Sequence, residues 1–209
     1  MIKILIADDH AIVRKGMIQL IIEEYPSAII AEAADAEELL KLAFTSEWDV
    51  IICDLSMPGR SGLDALKQIK QTLPPIPVLI MSMYPEEQYT ARVLKAGASG
   101  YLSKVSIHDE LIKAIKTVLK GKKYIPVAIA EMVVDAFINN SDQPSYTLLS
   151  DREFEILKHL ALGESVSNIS KKLSLSSNTV STYRSRIMEK LHKRSNADLT
   201  RYALELKLI

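Results

Sequence analysis

Residues 2–9 have the sequence IKILIADD, a short apolar run that closes on two aspartates. Three later apolar runs also end on polar residues that could carry chemistry: 50–53 on Asp54, 78–81 on Ser82, and 101–102 on Ser103 and Lys104. Apolar runs of this length with amphipathic stretches between them are typical of buried parallel strands joined by helices. The pattern therefore predicts an α/β fold.

Strand and helix patterns alternate five times in the first part of the chain. Strands are predicted near residues 2–7, 28–33, 49–53, 77–82 and 99–102. Helices are predicted near residues 11–24, 36–46, 62–72, 86–96 and 107–120. This alternation favours a doubly wound, five-stranded parallel sheet. Ligands of such sheets bind at the carboxyl ends of the strands, where the polar residues should meet.

The polar residues at that edge have the chemistry of a cation and phosphate site. Three carboxylates, those of Asp8, Asp9 and Asp54, would repel one another, and a hard divalent cation such as Mg²⁺ would relieve the repulsion. A carboxylate can take a phosphoryl group as an acyl phosphate, which makes Asp54 the candidate nucleophile. Lys104 would offset the added charge, and the Ser82 hydroxyl would donate to a phosphoryl oxygen.

From residue 150 onward the pattern is entirely helical. Ser150 and Glu153 form a capping box at the start of the first helix, and Gly163 ends it. Further helices are expected around residues 166–173 and 180–191, and after Ser195. A short helix, a tight turn and a longer helix with polar outer positions are typical of a helix-turn-helix.

Residues 122–146 are transitional between these two parts. Pro126 is placed to open a helix that would run through Phe137, and the polar, turn-rich residues 139–145 are the expected flexible linker. We therefore expect one domain at residues 1–121, a linker at 122–146 and a small all-α domain at 147–209.

The formal net charge of zero hides an asymmetry. Residues 1–146 carry 15 Lys and Arg against 19 Asp and Glu, whereas residues 147–209 carry 11 against 7. A basic C-terminal part suits a polyanionic partner such as DNA. Cys53 is the single cysteine, which fits a reducing compartment. No apolar run approaches the roughly 18 residues of a membrane span, so a cytoplasmic protein without a membrane partner is expected.

The first part resembles the receiver domain of bacterial two-component response regulators. The residues that carry the resemblance are Asp8-Asp9-His10, Asp54-Leu55-Ser56-Met57-Pro58, Gly62, Ser82, Gly97-Ala98, Gly100-Tyr101 and Lys104. The resemblance implies that Asp54 accepts a phosphoryl group from a sensor histidine kinase. It also implies that Ser82 and Tyr101 are switch positions and that Lys104 is the pocket lysine. The Mg²⁺ ligands that it implies are Asp8, Asp9, Asp54 and the backbone carbonyl of Ser56.

Residues 147–209 resemble the LuxR-type helix-turn-helix of the NarL/FixJ class, through residues 149–153, 169–173, 179–181 and 187–191. The chain departs at Ser181 and Tyr183, where the family often has lysine and histidine. Small polar side chains opposite the apolar face of the third helix can approach base edges, and basic neighbours can hold phosphates. The expected DNA contacts are Lys172, Asn178, Thr179, Ser181, Thr182, Ser185, Arg186 and Lys193.

Together these features predict a transcription regulator rather than an enzyme in the ordinary sense. Phosphorylation of Asp54 would favour a homodimer and sequence-specific binding to double-stranded DNA. Two other classes stay open. An aspartyl-phosphate hydrolase often carries a second aspartate two residues after its nucleophile, where this chain has Ser56. A phospho-switched protein-interaction module would not need the seven Lys and Arg against one acidic residue in 171–194.

Overall fold

The computed structural model describes residues 1–83, 86–125, 145–206 and 208–209. Contacts divide the chain into two compact units, Met1–Ile138 and Asn139–Ile209, which are described separately below. Residues 126–144 lie outside the described residues, and they include the helix expected after Pro126 and most of the linker predicted at 122–146.

The first unit contains five strands and five helices in alternation. The strands are β1 (Lys3–Ala7), β2 (Ile29–Ala33), β3 (Val50–Asp54), β4 (Val78–Ser82) and β5 (Gly100–Ser103). The helices are α1 (Ala11–Glu24), α2 (Ala36–Thr45), α3 (Gly62–Thr72), α4 (Glu86–Lys95) and α5 (Ile107–Val118). These bounds agree with the predicted ones to within two residues, so the prediction of an alternating α/β unit is confirmed.

The strands form one parallel sheet in the order β2-β1-β3-β4-β5. The strand order reverses between β1 and β3, because the chain leaves β1 toward one edge and returns to build the other. In open parallel sheets the crevice for a ligand lies at such a reversal, outside the carboxyl ends of the strands. Asp8 follows β1 directly and Asp54 ends β3, so the two carboxylates lie at the reversal.

The strands are held by apolar side chains that alternate between the two faces of the sheet. Ile4 and Ile6 of β1, with Leu79 of β4, lie in a fully buried cluster with side chains of α1 and α5. Nearly every residue of β3 and β4 is buried. Runs buried on both faces lose their alternation of apolar and polar residues, which explains why these strands are continuous apolar runs in the sequence.

A short segment after α5 pairs with the edge strand β5. The Tyr124 N–H donates to the Ser99 carbonyl at 2.9 Å, and the Tyr101 N–H donates to the Tyr124 carbonyl at 3.3 Å. A Cβ atom on Gly100 would lie only 2.6 Å from the Tyr124 carbonyl oxygen, so glycine is required for this approach. The backbone hydrogen bonds of the sheet therefore include Tyr124.

The second unit is helical in its described part. A 3₁₀ turn at Ser145–Leu148 precedes α6 (Asp151–Ala161), α7 (Val166–Lys172), α8 (Ser177–Lys190) and α9 (Asn196–Glu205). The capping box is confirmed: the Glu153 N–H donates to the Ser150 hydroxyl, and the Ser150 N–H donates to the Glu153 carboxylate. Helix α6 packs against α8 and α9, and α7 packs against α8. This arrangement confirms the predicted helix-turn-helix unit.

One ion pair joins the first and third helices of this unit. Lys190, the last residue of α8, places its Nζ 2.6 Å from a carboxylate oxygen of Glu153, whose side chain is 4% exposed. The same carboxylate belongs to the capping box, so one group fixes both the start of α6 and the end of α8. No helix in the described part of the chain is long and apolar enough to cross a lipid bilayer.

We predict that Gly62→Ala strongly destabilises the first unit. The Cβ atom would lie 1.9 Å from the Asp54 carbonyl oxygen, which belongs to a strand that cannot move without breaking the sheet. The expected loss in the free energy of unfolding is about 3 kcal/mol, the range of overpacked cores. Urea denaturation followed by circular dichroism measures it.

Gly16→Ala is the matched control for this substitution. Gly16 lies inside α1, and a Cβ atom there would meet nothing within 4 Å. Alanine should stabilise that helix by about 0.5–1 kcal/mol. A small change of the same sign in the free energy of unfolding of both variants would show that the contact between Gly62 and Asp54 is not a packing constraint.

Candidate functional site

Two buried carboxylates lie side by side at the carboxyl edge of the sheet. Ala7 of β1 is paired in register with Cys53 of β3, so the next residues, Asp8 and Asp54, are neighbours across the two strands. The side chain of Asp8 is fully buried, and that of Asp54 is 3% exposed. Two buried negative charges on neighbouring strands are unfavourable unless a cation balances them.

Lys104 supplies a positive charge to both carboxylates. Its Nζ lies 2.6 Å from Asp8 Oδ2 and 2.9 Å from Asp54 Oδ2, and its side chain is only 6% exposed. The backbone helps to place it, because the Lys104 N–H donates to the Ser82 carbonyl at 2.9 Å. Residues from the ends of β1, β3 and β5 thus meet in one charged cluster, as the sequence predicted.

Burial dominates the acidity of the candidate nucleophile. Burial raises the pKa of Asp54 to about 6, since the charged form is poorly solvated; the Lys104 ammonium and the Ser56 N–H oppose this rise, and the Asp8 carboxylate adds to it. Burial alone would lower the pKa of Lys104, but Asp54 and Asp8 outweigh it and hold that pKa above its ordinary value. The lysine therefore stays charged.

Asp9 and His10 complete the cluster on its more exposed side. His10 Nδ1 lies 2.7 Å from Asp9 Oδ1 and 3.2 Å from Asp8 Oδ1, and the His10 N–H donates to Asp8 Oδ1 at 2.8 Å. Donor atoms of these three residues and of Asp54 all lie within 4.8 Å of one another. This cluster of donors could hold a metal ion, and three carboxylates against one ammonium suit a hard divalent cation.

Sequence reasoning did not include His10 among the site residues. Its only signal in the sequence is its position directly after the aspartate pair. The orientation of its ring toward those carboxylates is a property of the turn between β1 and α1, which no periodicity reveals.

The two predicted switch residues are buried on neighbouring strands. Ser82 is the last residue of β4 and is 1% exposed, and Tyr101 is fully buried in β5. Asp54 is paired with Met81, so Ser82 lies one position further along the neighbouring strand. These placements set Ser82 at the same edge as Asp54.

The predicted DNA-contacting face lies on α8. Val180 and Ile187 of this helix are buried in the domain core. Four predicted contact residues lie on the exposed surface: Asn178, Ser181, Thr182 and Ser185. Thr179 differs from them, because it is half-buried and its hydroxyl lies 2.7 Å from that of the capping residue Ser176.

The basic residues near this face are held in different ways. Lys172 pairs with Glu164 at 2.9 Å, and Lys193 lies 5.0 Å above the ring of Tyr202. The Arg184 side chain donates to the Asn196 amide oxygen at 2.7 Å. Arg186 is exposed and makes no ion pair with any other described residue. Of these four cationic side chains, that of Arg186 is therefore the most available to a DNA phosphate.

Comparison with protein families matches both units. The family model described as "response regulator receiver domain" matches residues 4–116, more than half of the chain. The model described as "bacterial regulatory proteins, luxR family" matches residues 147–203. The chain belongs to the response regulators. The predicted receiver and LuxR-type helix-turn-helix are both confirmed, and this response regulator is a transcription regulator rather than a classical enzyme.

Curated relatives match this response regulator along its whole length. The oxygen regulatory protein NreC of Staphylococcus epidermidis is 39% identical over 215 residues, with 99% of each chain covered. NreC of Staphylococcus carnosus is 38% identical over 214 residues with the same coverage. The order and the lengths of the two domains are therefore shared with these relatives.

Solved structures of similar proteins include a DNA complex. RcsB from Salmonella enterica serovar Typhimurium, bound to the promoter rprA with the phosphomimetic BeF₃⁻, has a TM-score of 0.65 and 27% identity, and the match covers 97% of this chain and 98% of that one. A LuxR-family response regulator from Aurantimonas is 34% identical with a TM-score of 0.59, over 66% of this chain and 98% of the other.

We predict that Asp54→Asn stabilises the metal-free protein near neutral pH. The folded-state pKa of about 6 lies above the ordinary 3.8, so the buried charge destabilises the fold at pH 7.5. That cost falls as the pH drops from 6 toward 4, where the folded state takes up the proton. Urea denaturation in EDTA should give a gain of about 2 kcal/mol at pH 7.5 and almost none at pH 4.

The control is Asp49→Asn, an exposed carboxylate just before the opposite end of β3. Removing this exposed charge should not reproduce the gain of about 2 kcal/mol at pH 7.5, because water already solvates it in the folded state. An equal gain at pH 4 and pH 7.5 for Asp54→Asn would mean that its effect does not arise from burial of the charge.

Proposed function

We propose that Asp54 accepts a phosphoryl group from a sensor histidine kinase and that this modification switches homodimerisation and sequence-specific DNA binding. The observation that carries the proposal is the Lys104 ammonium within 3 Å of both Asp8 and Asp54. A buried nucleophilic carboxylate beside a fixed cation is suited to receive a group that brings further negative charge.

In the proposed transfer an oxygen of Asp54 attacks the phosphorus of a phosphohistidine. The P–O bond to Asp54 forms as the P–N bond breaks, and the imidazole of the kinase leaves. Lys104 pairs with the negative oxygens of the phosphoryl group, and the hydroxyl of Ser82 donates to one of them. Tyr101 follows Ser82, which changes the surface of the receiver near β5. Attack by water on the phosphorus then breaks the bond to Asp54, releases inorganic phosphate and returns the free carboxylate.

The acidic cluster fits a bound Mg²⁺ ion. Asp9 and Asp54 would hold it directly, Asp8 largely through water, and the backbone carbonyl of Ser56 would be a further ligand. When bound, this ion neutralises charge on the phosphoryl oxygens. Lys104 contacts Asp8 Oδ2 and Asp54 Oδ2, so its ammonium would share these two carboxylates with the ion.

We further propose that residues 1–121 form the receiver, 122–146 the linker and 147–209 the DNA-binding domain, and that the protein acts in the cytoplasm on double-stranded DNA. The proposed base contacts are Asn178, Ser181, Thr182 and Ser185, and the proposed phosphate contacts are Lys172, Arg186 and Lys193. Thr179 would support this face from the start of α8. Exposure of the first four residues and the basic charge of this part of the chain support the assignment.

Phosphorylation at Asp54 is tested by intact-mass measurement after incubation with acetyl phosphate and Mg²⁺. The parent chain should gain one phosphoryl group, and Asp54→Asn should gain none, because an amide cannot form the acyl phosphate. Asp49→Asn, at the residue that directly precedes the same strand, should be phosphorylated like the parent. A full adduct on the Asp54 variant would refute the assignment.

The role of Arg186 is tested by titrating DNA at several salt concentrations. Arg186→Ala should weaken binding to all sequences alike and lower the slope of log affinity against log salt by about 1, because one phosphate contact is lost. Arg201, which pairs with Asp198 at 3.0 Å on α9, is the control, and Arg201→Ala should leave the slope unchanged. A loss confined to one sequence would assign Arg186 to a base instead.

A further inference from the structure

Two hydroxyl groups on the exposed face of α8 donate their protons to carbonyls of their own helix. The Thr182 hydroxyl donates to the Asn178 carbonyl at 2.9 Å, one turn earlier in the helix. The Ser185 hydroxyl donates to the Ser181 carbonyl at 3.2 Å in the same way. Both side chains lie on the exposed surface.

This pairing decides what the two hydroxyls can offer to a ligand. A hydroxyl has one proton to donate and two lone pairs that accept. With the proton directed at a helix carbonyl, only the lone pairs of Thr182 and Ser185 face outward. Donating to a ligand would require each hydroxyl to rotate and to leave its helix carbonyl without that hydrogen bond.

The edges of the bases in the major groove differ in this respect. Adenine N6 and cytosine N4 carry exocyclic amino groups that donate, whereas guanine N7 and O6 and thymine O4 only accept. An outward lone pair is attracted to these amino groups and repelled by these three acceptor atoms. Three residues of helix rise by about 4.5 Å, so Thr182 and Ser185 would face adjacent or nearly adjacent base pairs.

The basic residues nearby do not supply a donor at these positions. Arg184 is held by the amide oxygen of Asn196, and Lys193 lies over the ring of Tyr202. Glu189, further along the exposed surface of α8, is also an acceptor. At Thr182 and Ser185 the face therefore presents acceptors; Arg186 flanks them, and Asn178, earlier in the helix, adds an amide that can donate or accept.

We propose that Thr182 and Ser185 are specificity-determining hydrogen-bond acceptors, and that the bound DNA presents to them the exocyclic amino groups of adenine or cytosine at two neighbouring positions. This inference rests on the proposed DNA-binding face. It adds the chemical class of base that the face selects.

The test begins with selection of bound sequences from random duplex DNA by the full chain treated with acetyl phosphate. Affinity is then measured for the parent chain and for Thr182→Val, which keeps the shape of the side chain and removes the hydroxyl. Both proteins are compared on the selected duplex and on duplexes in which single adenines or cytosines are replaced by purine or 2-pyrimidinone, which lack the amino group.

The expected result is a coupling between one amino group and one hydroxyl. Thr182→Val should bind the selected duplex about tenfold more weakly, the size of one specific base contact. It should lose almost nothing relative to the parent chain on the duplex that lacks the partner amino group. Ser185→Ala should show the same coupling at a neighbouring position. An equal loss on both duplexes at every position overturns the proposal.

Thr200→Val is the matched control, because the Thr200 hydroxyl donates to the Asn196 carbonyl at 3.1 Å on α9. It removes the same kind of helix contact outside α8 and should not change the base preference. If selection yields no preferred sequence, the proposed DNA-binding face itself is wrong. A second set of duplexes carries 7-deazapurines, which lack the N7 acceptor. If a sequence is selected but the coupling appears only on this second set, the hydroxyls act as donors and this inference alone fails.

Discussion

The arrangement of the receiver depends on one ammonium group shared by two buried carboxylates. Without Lys104, Asp8 and Asp54 would be neighbouring negative charges with almost no access to water. Removing the ammonium would be costly, because both carboxylates would stay desolvated and unpaired. The cluster therefore couples the ends of β1, β3 and β5. Any group that adds charge to Asp54 must change the position or the pairing of Lys104, and through it the end of β5.

The sheet places that cluster without help from loops. The parallel register brings Asp8 and Asp54 to neighbouring positions, and the reversal of strand order leaves room beyond them. The backbone of Asp54 is also fixed from behind, because Gly62 lies so close to its carbonyl that no side chain fits there. Asp54, the proposed nucleophile, thus lies on a rigid strand, and the mobility that the proposed switch requires must come from the side chains and loops at the sheet edge.

Much of this could be predicted from sequence because it follows from short local patterns. The apolar runs located the strands, and the polar residues that end them located Asp8, Asp54, Ser82 and Lys104. Other features depend on contacts between distant residues and leave no periodic signal. Tyr124 pairs with β5 through a single bridge, and the Lys193 cation lies over the Tyr202 ring. Nothing in the periodicity of the sequence indicates these partners.

The proposed DNA interface on α8 separates affinity from selectivity. Affinity for DNA comes mainly from cations near phosphates and is almost independent of sequence. Selectivity needs groups that reach base edges with a fixed donor or acceptor character. Long basic side chains bring both properties at once, whereas small hydroxyls bound to their own helix bring only the second. Arg186 lies at the flank of this surface and the hydroxyls lie at its centre. A substitution of Arg186 should therefore change affinity alone, and a substitution of a hydroxyl residue should change selectivity alone. A regulator built in this way can change its target sequence without changing its general attraction to DNA.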